Sequence, residues 1–157
     1  MNNGYYVHEV NPYYSQARSE HRELHAAIER IHRELDVTRE IDVSVGRITE
    51  VTGLIVDLRD RLARHFEREE NGGYLEEAIV RVPHIAAQAM TLQRQHGEFL
   101  ATANFMLEHA RSTDAAPQVW AALKADYDLF AKRLNAHEAA EDALLSRAFN
   151  EAAESDV

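Results

Sequence analysis

HFEREE, residues 65–70, and HEAAED, residues 137–142, are the two stretches on which the reading of this chain turns. Each opens with a histidine, places a glutamate four residues on, and adds a further acid. In an α-helix, positions i and i+4 lie one above the other on the same face, so each stretch sets an imidazole beside a carboxylate. The residues upstream say which face that is. Ile48, Val51, Ile55, Leu58 and Leu62 recur in steps of three and four, the pattern of a core-facing stripe, and the next steps land on His65 and Glu69. Trp120, Leu123, Tyr127, Phe130 and Leu134 do the same, and their continuation lands on His137 and Glu141 before returning to Leu144 and Ala148. Both pairs therefore point into an apolar core.

Working outward, punctuation divides the chain into four long helical stretches. Asn11-Pro12 marks a helix start, and the first helix runs to about Leu35. DVTREIDV is a connector. The second helix spans about Ser44 to Glu70 and stops at NGG, where Gly72 or Gly73 takes positive φ. YLEEAIVR makes a short helix. Pro83 opens a third long helix ending near Arg111, STDAAP is a loop, and the fourth helix runs from about Pro117 to Phe149. The first stripe is Ala17, Leu24, Ile28, Ile31 and Leu35, with His21 in its gap. The third is Ile85, Ala89, Leu92, Phe99, Ala103 and Met106, with His96 in its gap. All four helices thus carry a core histidine, and two add a glutamate one turn later. HREL (21–24) resembles HGEF (96–99), and the histidines recur at similar intervals in the two halves, 21 to 65 and 96 to 137. This is a twofold repeat of helical hairpins. Two such hairpins pair as an all-α, up-down-up-down four-helix bundle with the polar residues at one level. The expected organisation is an N-terminal extension at 1–14, one domain at 15–149 and a fraying acidic tail at 150–157.

Composition bounds the function. A chain of 157 residues with 45 % hydrophobic content suits one domain with a real core. The absence of cysteine excludes disulfides, thiolate zinc sites and iron–sulfur clusters. A formal charge of −10 opposes nucleic-acid binding. MNNGYYVHEV lacks the layout of a signal peptide, and no apolar run is long enough to span a membrane, so a soluble, cytoplasmic protein is expected.

The core histidines and glutamates need a compensating charge. An uncompensated buried charge costs several kcal/mol, against a net domain stability of only about 5–15 kcal/mol. No lysine or arginine lies on these stripes near the acids. A metal cation supplies the charge, and imidazole with carboxylate suits iron, manganese or zinc. Two carboxylates from different helices can bridge two ions, as in dimetal carboxylate bundles.

The order of one His, then His-x-x-x-Glu, then one His, then His-x-x-x-Glu, on four helices, resembles the hemerythrin-like (His-His-Glu cation-binding) family over residues 15–149. The stretch HFEREENGGYL is similar to bacterial members. The resemblance implies two non-haem iron ions, oxo- or hydroxo-bridged, with Glu69 and Glu141 as bridging carboxylates and His21, His65, His96 and His137 as terminal ligands. It implies dioxygen or another small diatomic molecule as the partner. One position departs from the oxygen carriers, which have His-x-x-x-His on the third helix. Here Leu92 stands four residues before His96, so one terminal ligand is missing or is replaced by water or another side chain. The set resembles instead iron-centre repair proteins and an iron-sensing ubiquitin-ligase domain, without the further domains those proteins carry.

Other residues divide as follows. His25 makes His-x-x-x-His with His21, a ligand spacing, but sits one residue off the stripe, so it is either a further ligand or, as favoured, a flank residue. His8, His32, His84 and His109 are surface or boundary residues. Glu70, Glu138 and Asp142 adjoin the expected ligands and either orient imidazoles or are solvated. Trp120, Tyr127 and Phe130 are core. GGYLEEAI is either a lid over the site or a plain connector. The functional expectation is a protein that binds or senses dioxygen, iron or a related small molecule. The alternative is a di-iron oxidase, peroxidase or ferroxidase-like enzyme. Ferritin-type enzymes use more carboxylates, in Glu-x-x-His motifs, than this chain offers. A third class is a metal-free bundle used for protein contacts.

Overall fold

Ser44, the expected start of the second helix, is its N-cap, the side chain accepting a hydrogen bond from the Arg47 N–H at 3.1 Å. The structure, a computed structural model, describes residues 12–155, and all its regular elements there are helical. The elements are α1 (Pro12–Val37), α2 (Val45–Glu70), α3 (Tyr74–Arg81), α4 (Ala86–His109) and α5 (Ala116–Ser155). Asn11, His8 and the rest of segment 1–11 lie outside the described residues, as do Asp156 and Val157.

The boundaries differ from expectation at three places. Pro83 opens a 3-10 turn, Pro83–Ile85, and the α-helix begins at Ala86. Glu40–Asp42 forms a second 3-10 turn inside the connector DVTREIDV. The backbone of α5 stays helical to Ser155, past the expected end at Phe149. EAAES contains good helix formers and neither glycine nor proline, so nothing local stops the helix.

α1 and α4 each pack on both α2 and α5, so the four long helices pack together with α3 set against one end. Every stripe position read from the sequence is buried, from Ala17 to Leu35 on α1 through Trp120 to Ala148 on α5. Burial of each Leu or Ile side chain contributes roughly 1.5–3 kcal/mol before the entropy of ordering it is counted. The buried Tyr127 hydroxyl donates to the Ile28 carbonyl at 2.8 Å and ties α5 to α1.

The core is in two parts. One contains Leu24, Leu62, Phe66, Phe99 and Leu134; the other contains Ala17, Tyr74, Leu92, Leu144 and Phe149. On α1, α4 and α5 the core histidine falls between residues of the two clusters, and on α2 His65 and Glu69 lie at the end that leads through the turn to Tyr74 of the second cluster, so a polar layer separates them. The helix α3 buries Tyr74, Leu75 and Ala78 in the second cluster and closes the bundle beyond that layer.

The turn into α3 depends on two glycines. Gly72 has φ +80°, a left-handed conformation that side chains oppose. A Cβ on Gly73 would lie 2.1 Å from the Arg68 carbonyl oxygen, so only glycine lets the chain fold back this tightly on α2. Glu76 then caps the turn by accepting from the Gly72 N–H at 2.6 Å. Gly73→Ala is expected to lower stability by about 1–3 kcal/mol through this overpacking, read as a shift in urea midpoint. An unchanged midpoint would show that the turn can relax without cost.

Candidate metal centre

The polar layer is built from the two His-x-x-x-Glu units and the two single histidines. His21, His65, Glu69, His96, His137 and Glu141 are each 5 % exposed or less, both glutamates being fully buried. Helical periodicity turns each inward, and the packing of the four helices brings them to one level. Two groups result, each with ligand atoms within 4.8 Å of one another: His21, His65, Glu69 and Glu141, and His96, His137 and Glu141.

The carboxylates straddle the two groups. Glu69 Oε1 lies 2.6 Å from His65 Nε2 and 3.8 Å from His21 Nε2, while Oε2 lies 3.1 Å from His96 Nε2. Glu141 Oε2 lies 3.2 Å from His21 Nε2, while Oε1 lies 2.9 Å from His137 Nε2 and 3.3 Å from His96 Nε2. The ring centroids are 5.2 Å apart in the His21–His65 pair and 5.1 Å apart in the His96–His137 pair.

Every imidazole is oriented from behind. The Nδ1 of His21 donates to Asp142 at 2.8 Å, that of His65 to Glu20 at 2.6 Å, that of His96 to Glu70 at 2.8 Å and that of His137 to the Gln95 side-chain oxygen at 2.8 Å. With Nδ1 engaged outward, all four Nε2 atoms face the layer. This is how histidine ligands of metals are held, the outer acceptor fixing both tautomer and ring angle. The four acceptors repeat with the twofold pattern. Glu20 and Gln95 each precede a single histidine and serve the histidine of the following His-x-x-x-Glu unit. Glu70 and Asp142 each follow a unit's glutamate and serve the two single histidines.

Charge in the layer is heavily biased. Burial pulls the His21 pKa down, but hydrogen bonds to Asp142, Glu141 and Glu69 outweigh it and raise it to about 12. The same opposition raises His65 to about 9, through Glu20 and Glu69, and His96 to about 10, through Glu141 and Glu69. Burial pushes the carboxyls of Glu69 and Glu141 up, yet the surrounding histidines hold both below the usual range. Without a cation, imidazolium neutralises carboxylate. Even so, Glu69 Oε2, His137 Nε2 and Glu141 Oε2 are buried at ion-pair distance from their neighbours without a hydrogen bond of good geometry. Poorly satisfied polar atoms converging in a dry layer are costly, and a cation shared by them removes that cost. The donor set fits a metal ion, and protons compete with the metal for the same atoms.

Some expected outer residues fall elsewhere. Glu70 and Asp142 orient imidazoles, whereas Glu138 does not. It is buried beside the cleft lined by Arg18, Arg22 and His25, its Oε1 is unpartnered, and burial pushes its carboxyl up to about 7. His25 is exposed and belongs to neither group. His84 and His109 are exposed and His32 is half-buried. Three residues were not singled out from the sequence. Glu20 and Gln95 carry a signal there, their matched placement just before the two single histidines. Tyr74 carries none beyond its position after two glycines. Its hydroxyl donates to Glu69 Oε1 and lies 3.3 Å from His21 Nε2 and 3.2 Å from His65 Nε2.

Replacing Glu20 or Asp142 with Ala is expected to weaken metal affinity about 10–100-fold, measured by competition with a chelator. Unaltered affinity would show that these acids do not orient ligands. The pH dependence has a defined sign. The raised histidine pKa values contribute stability to the metal-free chain that is complete below about 6.5 and lost as pH rises through about 9 to 12. The lowered glutamate values contribute stability present above about 4.5 and lost as pH falls. Metal-free protein should therefore weaken above neutrality, while metal, with fewer protons to displace, binds tighter. The melting-temperature gain from metal should grow between pH 6 and 9; a constant gain would contradict proton–metal competition.

No protein-family model matches this chain, and neither a curated protein nor a solved structure matches it.

Proposed function

We propose that this chain is a hemerythrin-like, up-down-up-down four-helix protein. In this reading it holds two non-haem iron ions between Glu69 and Glu141 and binds or senses dioxygen, iron or a related small molecule. The observation that carries the proposal is the straddling of the two imidazole pairs by two fully buried carboxylates, with all four Nε2 atoms turned inward. The alternating topology is supported by chain direction. α1 and α4 run from the Ala17–Leu92 cluster towards the Leu24–Phe99 cluster, α5 runs the other way, and α2 leaves the Leu24–Phe99 cluster for the turn that leads to Tyr74 in the other.

Each residue then has a task. His21 and His65 hold one position and His96 and His137 the other, and Glu69 and Glu141 are shared. Asp142, Glu20, Glu70 and Gln95 keep the imidazole tautomers fixed. Phe66, stacked 3.9 Å from the His96 ring, and Phe99, 5.1 Å from the His137 ring, wall the second pair with apolar surface and keep water out. Bound iron would supply redox activity and affinity for a small diatomic molecule. Binding or sensing is favoured over oxidase chemistry because imidazoles outnumber shared carboxylates, unlike the carboxylate-rich ferritin-type centres. Sensing is favoured over carriage because Leu92, buried in the second cluster, offers no donor atom. No helix among the described residues is long and apolar enough to cross a membrane, and the reading keeps the cytoplasmic setting expected from the sequence.

Anaerobic loading with ferrous iron should give about two iron atoms per chain and raise the melting temperature, because metal binds the folded arrangement and not the open chain. Glu69→Ala or Glu141→Ala should impair both positions, whereas His25→Ala should leave metal content unchanged. Elemental analysis finding no stoichiometric metal would remove the proposal, and zinc or manganese retained in preference to iron would redirect it. Stopped-flow mixing of the reduced, loaded protein with oxygen should show rapid oxidation; oxygen uptake that reverses on deoxygenation would restore a carrier.

A further inference from the structure

The phenol of Tyr74 is 3 % exposed and is set among three of the four donors of the His21–His65 half. It hydrogen-bonds to Glu69 Oε1, and its oxygen is nearly equidistant from the inward-facing nitrogens of His21 and His65, at 3.3 and 3.2 Å. An oxygen within reach of every one of those atoms occupies the space where a cation held by them must sit, or stands directly beside it. We propose that Tyr74 is itself a metal ligand, a fifth protein donor that closes the His21–His65 half and leaves the His96–His137 half as the one with fewer protein donors. This rests on the metal-binding reading above.

The surrounding backbone is shaped for this placement. The left-handed Gly72 and the contact of Gly73 with the Arg68 carbonyl turn the chain back at the end of α2, so that the first residue of α3 enters the layer. The twofold repeat breaks at this point. The residue five beyond Glu69 is Tyr74, after a turn, whereas the residue five beyond Glu141 is Ser146, within the uninterrupted α5. No phenol can therefore reach the second half in the equivalent way, and the two halves differ in donors although their imidazoles match. This donor does not fill the place of the one absent at Leu92, which stands on α4 one turn before His96 and so belongs to the other half. The oxygen ligand comes from the α2–α3 turn and not from α4. On loading, the phenolic O–H bond is replaced by an oxygen–metal bond, and the proton passes to solvent. Glu69, which accepts from the phenol in the metal-free chain, is freed to ligate.

The test is spectroscopic and uses the full chain, loaded with ferrous iron and oxidised in air. A tyrosine ligand to ferric iron gives a visible charge-transfer band and resonance-enhanced tyrosinate ring vibrations. Both should be present in the unaltered protein, shift with ring-deuterated tyrosine, and vanish in Tyr74→Phe. Tyr74→Phe keeps the packed ring and should still bind metal. Iron bound without tyrosinate vibrations, or vibrations surviving in Tyr74→Phe, would overturn Tyr74 as a ligand and leave the metal centre standing. No bound iron in either protein would overturn both. If Tyr74→Phe folds poorly, the labelled unaltered protein still shows whether a tyrosine ligates the iron, and absence of tyrosinate vibrations there overturns the proposal.

Discussion

The rest of this structure answers to one buried layer in which two carboxylates meet four imidazoles. Removing these groups from water carries a penalty of several kcal/mol per ion, comparable with the margin by which a domain of this size is stable. The layer therefore has to be compensated at every atom, and the compensation dictates much of the sequence around it. Imidazole protonation neutralises the carboxylates in the metal-free chain but leaves oxygen and nitrogen atoms without a hydrogen bond of good geometry. A cation shared by those atoms resolves both problems together.

The compensation is organised across helices. Each imidazole donates its outward hydrogen bond to an oxygen on another long helix, so the acceptors lock helix to helix as they orient rings. The apolar clusters on either side fix the level at which this happens. Leu24, Phe66 and Phe99 press from one side, and Ala17, Leu92 and Leu144 from the other. A polar layer held between two close-packed cores has little freedom to slide, which is what preorganisation of a ligand set requires. The short helix α3 completes the second cluster and delivers a polar side chain, Tyr74, that enters the layer from outside the four long helices.

The twofold pattern bears on function through where it fails. Histidines, glutamates and their acceptors repeat, and the two imidazole pairs have nearly the same spacing. The halves differ in their walls and in their connections. Phe66 and Phe99 line the His96–His137 pair, and Tyr74 faces the His21–His65 pair. Under the proposed reading, matched imidazole pairs with unmatched surroundings would separate the holding of metal from the admission of a small molecule.

The sequence by itself determined the helices, their buried faces and the six polar residues on them. The α-helical period is local, so steps of three and four from Ile48 or Trp120 lead to His65 and His137 without knowledge of any partner. It also showed the stop at NGG, because positive φ is a property of single residues. It left Glu70, Glu138 and Asp142 undivided between orienting and solvated roles, since all three adjoin the layer in sequence. Only the tertiary structure separated them, sending Glu70 to His96 and Asp142 to His21 and leaving Glu138 unpartnered. Only the tertiary structure, too, revealed the crossings of Glu20 to His65 and Gln95 to His137, and the entry of Tyr74 into the layer. Those contacts depend on the rotation and level of one helix against another and on a tight turn between glycines. Helical periodicity fixes the face on which a side chain emerges. Packing decides which atom it meets.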